Sequence, residues 1–223
     1  MYAKPGRWAL PAYGVLLGLS TLTHQPPVDD FDAYARYVTT GGFLISHLGA
    51  SIFGAALAIL GVVAVSEHLP RHRGVAAGLV LTTIAQVFLA ASFGSAAFVQ
   101  PGLGRAHLNG VPGMAALNGD TAYGPALFAT ALSASFLLIV SAVVLGTAIA
   151  RADHRLRAPG VAYAVLLPLF VLTGFALQPA QPVAGFALAA ATAVLAVRLP
   201  RAARQVHREK TAAAETLAAR ATY

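Results

Sequence analysis

Long apolar runs nearly free of charge constrain this chain more than any other feature. They fall at about 8–23, 41–66, 74–99, 124–150, 160–178 and 182–198. Each is close to or above the length an α-helix needs to cross a hydrocarbon core of about 30 Å at 1.5 Å per residue. The expected fold is therefore all-α: a polytopic bundle of six transmembrane helices (residues 1–200) followed by a basic tail (201–223). The fifth and sixth runs are separated only by "QPAQP", whose prolines break the helix and force a tight hairpin. A re-entrant pair over 160–198 is the competing parse, although both halves are long enough to span.

Charge sets the orientation. Of 223 residues only 10% are charged, against about 25% in soluble domains. With a cytoplasmic N-terminus, Lys4 and Arg7, Arg71 and Arg73, Arg151, Arg155 and Arg157, and the six cations after residue 197 all lie inside, leaving only Arg36 and Arg105 outside. That asymmetry is the positive-inside pattern, and it places both termini in the cytoplasm of a cell-membrane protein. It also accounts for the net charge of +7 without nucleic acid, since the arginines do not cluster with aromatics. The N-terminus is basic and then apolar, as in a signal peptide. However, the exit "GLSTLTHQPP" lacks a small-x-small cleavage site, so an uncleaved first span anchored by Trp8 is expected.

Two segments between spans hold the outer polar residues. In "HQPPVDDFDAYARYVTT", Pro26 and Pro27 end the first span and Asp29 or Asp30 caps a short helix. Phe31, Tyr34, Ala35 and Val38 form its apolar face, and Asp32 and Arg36 are spaced for an i,i+4 pair. This helix is expected to lie flat on the outer surface. The second segment, "GRAHLNGVPGMAALNGDTAYG", carries Arg105, His107 and Asp120 together with the chain's only asparagines, Asn109 and Asn118. Its Leu-Asn-Gly triplets, Pro101, Gly102, Gly104, Pro112 and Gly113 predict an irregular loop of about 23 residues. Leu108, Val111, Met114 and Leu117 are expected to pack down onto the bundle. The tail, "RAARQVHREKTAAAETLAARATY", is Ala-rich and basic, which suits electrostatic adhesion to anionic headgroups on the cytoplasmic face.

Few polar residues lie inside the spans, and those few are the candidates for function. No Asp, Glu, Lys or Arg sits deep in any span, and His47 is the one deep histidine. This argues against a retinal Schiff base, a carboxylate-driven proton transporter, a bis-histidine haem bundle and an intramembrane zinc hydrolase. With no cysteine, disulfides, thiolate metal sites and iron–sulfur clusters are excluded. The sequence specifies no cofactor. Ala50, Ser51, Gly54, Ala58 and Gly61 share a face with His47, a small-residue stripe that allows close helix approach. Thr82, Gln86, Ala90 and Gly94 form a similar stripe on the third span. Counting 1.5 Å per residue puts His47 about 9 Å and Gln86 about 12 Å below the outer boundary, so the two are expected to face one another or to share a water. His24, His47, His107, Asp120, Asp29, Asp30 and Asp32 are the outer residues that would have to gather for a divalent ion. They lack fixed spacing, and no metal site is assigned. His68, His72, His154 and His207 accompany arginines on the inner side and read as solvated.

The run "SHLGASIFGAALAILGVVAVSEHLPRHRG" through "AAFVQPGLGRAHLNG" resembles segments of small six-span membrane proteins of GC-rich actinobacteria. The resemblance covers spans two to four and implies the topology only, since it carries no signature of known chemistry. Three functions are compatible with these features. The leading one is a non-enzymatic accessory, assembly or small-molecule- or lipid-binding bundle, working as a homo-oligomer or beside a membrane-complex partner. A second is a small transporter with a polar cavity lined by His47, Gln86, Thr82 and Ser133. The third is an outer-facing membrane enzyme using His47, His107 and Asp120.

Overall fold

The structure is a computed structural model that describes residues 6–69 and 72–200; Lys4, Arg71 and the basic tail lie outside the described residues. Among the described residues all regular structure is helical. We number the helices α1 (Ala9–Ser20), α2 (Phe31–Val38), α3 (Gly41–His68), α4 (Arg73–Leu108), α5 (Met114–Thr121), α6 (Pro125–Ala152), α7 (Arg157–Ala176) and α8 (Gln178–Pro200). Five of them, α3, α4, α6, α7 (extended by the 3₁₀ turn His154–Leu156) and α8, are long and apolar enough to cross a membrane.

The first expected span is shorter than the sequence pattern implied. Helix α1 has 12 residues, which is about 18 Å of helix. It stops well before Pro26, and at its end the hydroxyls of Ser20 and Thr21 donate back to the Leu17 and Gly18 carbonyls, satisfying groups that no further turn reaches. Despite its length, α1 lies in the core: Leu10, Tyr13 and Leu17 are buried.

Glycine permits this close packing. A Cβ at Gly185 of α8 would lie 2.6 Å from the backbone nitrogen of Gly18, and one at Gly61 of α3 would lie 2.9 Å from that of Leu10. The small-residue stripe of α3 is therefore buried, as its spacing predicts, but its Gly54 and Gly61 meet Tyr13 and Leu10 of α1. The expected match of this stripe to that of α4 is not what Gly54 and Gly61 make. On the far side of the core, α6 crosses α4 at Gly78 and α7 at the Gly146–Gly160 pair.

Helix α4 corrects the expected 23-residue loop. It runs unbroken for 36 residues, through Pro101, Gly102 and Gly104, to Leu108. Pro101 already has a helix-compatible φ and removes only one backbone donor, so the helix continues past it. Asn109 closes α4, and the positive φ of Gly110 and Gly113 (80° each) makes the actual turn. The second Leu-Asn-Gly triplet lies within α5, which leaves only 109–113 and 122–124 outside helices. Of the four apolar residues expected to pack down, only Met114 joins a buried cluster, while Leu108, Val111 and Leu117 are exposed.

Helix α2 is capped by Asp30, whose carboxylate accepts from the Ala33 N–H at 3.0 Å. Its apolar face, Phe31, Tyr34, Ala35 and Val38, is covered by protein and is not left to lie on a surface: Phe43 and Met114 pack on it. It crosses α4 at Gly104, where a Cβ would come within 2.9 Å of the Ala35 carbonyl oxygen. Helices α2 and α5 and the end of α4 thus cap one end of the bundle. The opposite end holds Arg7, Arg73, Arg151, Arg155, Arg157 and Arg198, whereas the capped end holds Arg36 and Arg105.

Candidate functional site: a cavity at His47

The site begins with a local irregularity in α3. Residues His47–Phe53 form a π-helical segment, with the Gly54 N–H bonded to the Gly49 carbonyl. The wider ring places one extra residue in the turn, a feature frequent at functional sites. Gly49, Ala50 and Ser51 leave room for it. At its start, His47 Nδ1 lies 2.9 Å from the Phe43 carbonyl oxygen, and its ring lies tilted against Phe43 with centroids 4.0 Å apart. A carbonyl only accepts, so Nδ1 carries the proton in the neutral ring and Nε2 keeps its lone pair.

Above the C-terminal end of α1, where that helix stops while α4 and α6 run on, lies a cavity of about 370 Å³. Its floor, the buried part of the lining, is apolar but for Ser51 (Leu17, Ala50, Leu138 and Phe170), and its rim carries Leu89 and Phe93 with hydroxyls and amides (Ser20, Thr21, Ser135, Gln178 and Gln181). His47 lines it, as do Tyr13, His24 and Gln25. A smaller cavity of about 160 Å³ adjoins it and shares Gln25, His47 and Phe93. In the smaller one lies Gln100, which is 3% exposed and whose Oε1 has no hydrogen-bond partner among the described residues. Gln25 donates to the Tyr123 hydroxyl at 2.5 Å, tying the segment after α1 to the turn before α6.

The candidates read from the sequence separate here. Gln86 does not meet His47: its Nε2 donates to the Tyr13 hydroxyl at 3.0 Å, and it reaches the cavity only through that tyrosine. Thr82 is fully buried one turn below, outside the lining, and its hydroxyl lacks a partner among the described residues. Ser133 is exposed, and Ser135 is the α6 serine that lines the cavity. Of the four residues expected to line a transport cavity, only His47 does so. Neither His107 nor Asp120 lines either cavity. Arg105 and Asp120 are exposed on the cap.

His107 pairs with Asp32 at 2.5 Å and sits edge-on to Phe31, taking the carboxylate that was expected to pair with Arg36. Among the described residues, no three His, Cys, Asp or Glu side chains gather closely enough to hold a metal ion.

The residues that sequence reasoning missed are Tyr13, Gln25, Phe93, Gln178 and Gln181. The two glutamines flank the prolines of "QPAQP", a stretch legible only as a turn.

Electrostatics on the cap yield a pH prediction. The His107 hydrogen bond, together with the charges of His107 and Arg36, holds the Asp32 carboxyl below its ordinary value of 3.8. A carboxylate with a depressed folded-state pKa stabilises above the unfolded value, and that stabilisation fades as pH falls through the folded one. Amide exchange in α2 is expected to accelerate below pH 3.8, and Asp32→Asn is expected to flatten that response. A response unchanged by Asp32→Asn would remove the pair as its cause.

Compared with known proteins, the chain matches no family model, no curated protein and no solved structure.

Proposed function

We propose that this chain is a multi-pass protein of the cytoplasmic membrane that holds a small amphipathic molecule in the His47 cavity. In this reading the capped end faces outward and the arginine-bearing end faces the cytoplasm. Helix α1 serves as a short sixth crossing, with both termini inside. The observation that carries the reading is the cavity itself. It has the size of ligand pockets in general, about 300–1,000 Å³, and it combines an apolar floor with a few polar groups. The role that fits is binding or presenting a membrane-derived molecule, without chemistry of its own.

The test is occlusion. Ala50 is almost fully buried and lines the cavity, so Ala50→Phe fills it from the floor. Native mass spectrometry of protein released from nanodiscs is expected to find a retained small amphiphile on the wild type and at least tenfold less on Ala50→Phe. Equal retention by both proteins would contradict the proposal. Metal analysis combined with His107→Ala addresses the enzyme alternative, which predicts bound metal or loss of function.

A further inference from the structure

Resting on that reading, we infer the class of ligand: an uncharged molecule with a hydroxyl-bearing head on an apolar body, recognised through hydrogen bonds donated by the ligand. Two properties of the lining carry this. The first is its charge. No Asp, Glu, Lys or Arg is among the residues that line the cavity. A phosphate or carboxylate head would meet no permanent counter-charge there, and an ion buried without one is costly.

The second property is the direction of the hydrogen bonds. The hydroxyls of Ser20, Thr21 and Ser135 donate to carbonyls of their own helices, so each turns only lone pairs toward the cavity. His47 does the same. Its Nδ1 proton is held by the Phe43 carbonyl, and Nε2, on the opposite side of the ring, makes no hydrogen bond among the described residues. The Gln25 amide spends one of its two N–H groups on Tyr123. Donors remain as well: the Tyr13 hydroxyl, which accepts from Gln86, the Ser51 hydroxyl, which makes no hydrogen bond among the described residues, and the amides of Gln178 and Gln181. A lining that sets these acceptor-only groups beside free donors suits a head that both donates and accepts hydrogen bonds. Hydroxyls do so without charge, and Phe93, Phe170 and Phe175 give the attached body an aromatic surface to lie against.

Two sources share this chemistry, an aliphatic alcohol such as a monoacylglycerol and a phenolic one such as a hydroquinone. The full-length protein in nanodiscs is labelled with a diazirine-bearing long-chain alcohol. The label is then competed with 1-monooleoylglycerol or decyl hydroquinone, and with the fully O-methylated ether of each. Labelling is expected on the cavity-lining residues of α1, α3, α4, α6, α7 and α8. At least one hydroxyl compound should displace the label at about fivefold lower concentration than its ether, the fold-change of one net hydrogen bond that the ether cannot donate. Which of the two ranks first names the source. In His47→Phe, where an aromatic ring is kept beside Phe43, the gap between alcohol and ether should narrow.

Equal displacement by alcohol and ether in the wild type, with the label still on those helices, would overturn hydroxyl recognition and leave the cavity reading standing. A label scattered over lipid-facing residues and displaced by none of the four would overturn both. The comparison within the wild type decides the matter whether or not the variant folds.

Discussion

Replacing Gly160 by leucine is expected to destabilise the bundle by about 3 kcal/mol or more, at the upper end of what overpacking a core costs. A Cβ there would lie 2.6 Å from the Ala150 nitrogen and 2.7 Å from the Gly146 carbonyl oxygen. Both neighbours are backbone, so neither swings aside as a side-chain end would, and α6 and α7 would have to separate. For a chain of this size the thermal midpoint should fall by roughly 6–12 °C. Gly102→Leu is the matched control, because nothing lies within 4 Å of a Cβ at that position. It should cost only the helical-propensity difference, which here favours leucine. Thermal melts in the same detergent check both. A Gly160→Leu protein melting within 2–3 °C of the wild type, less than about 1 kcal/mol, would show that the two helices do not meet as closely as described.

The second large effect concerns the buried polar pair. Gln86 is 1% exposed, and its amide nitrogen has the Tyr13 hydroxyl as its hydrogen-bond partner, while its Oε1 has none among the described residues. Tyr13→Phe therefore leaves the whole amide unpaired in the core and should cost about 1–2 kcal/mol. Gln86→Leu removes that amide, and the tyrosine hydroxyl it abandons lines the cavity, where water or ligand reaches it. The double variant Tyr13→Phe/Gln86→Leu should then be close to wild type, because replacing both partners by apolar groups of similar shape leaves nothing unsatisfied. Additive losses in the double variant would contradict the pairing.

The legible part of this fold was the part governed by hydrophobic length and period. The runs around α3, α4, α6, α7 and α8 exceed what a soluble domain carries, and the structure returns each as a long apolar helix. The apolar face of α2 follows from spacing, and its cap falls on Asp30, one of the two aspartates the sequence offered.

What the sequence concealed depended on tertiary contact. Pro101 and Gly104 look like breakers, yet α2 packs on α4 at Gly104, and the small residue is there to admit it. Hydrophobic length did not reveal that α1 ends at Ser20, well before the prolines expected to close it, where hydroxyls rather than a further turn satisfy the last carbonyls. The His47–Gln86 expectation failed for a related reason. Depth placed the two at one level, but α1 lies in the core, and its Tyr13 takes the glutamine. The cavity is a consequence of that early stop, which is why most of its lining went unread while His47 stood out.

The orientation of the cavity underlies the proposed function, and single-cysteine accessibility tests it most directly because the native chain has no cysteine. Asn109→Cys lies on the capped end and Arg155→Cys on the arginine-bearing end, both at exposed positions. With a membrane-impermeant maleimide on intact cells, the account predicts labelling of Asn109→Cys at once and of Arg155→Cys only after permeabilisation. Labelling of both from the same side, or the reverse order, would contradict it.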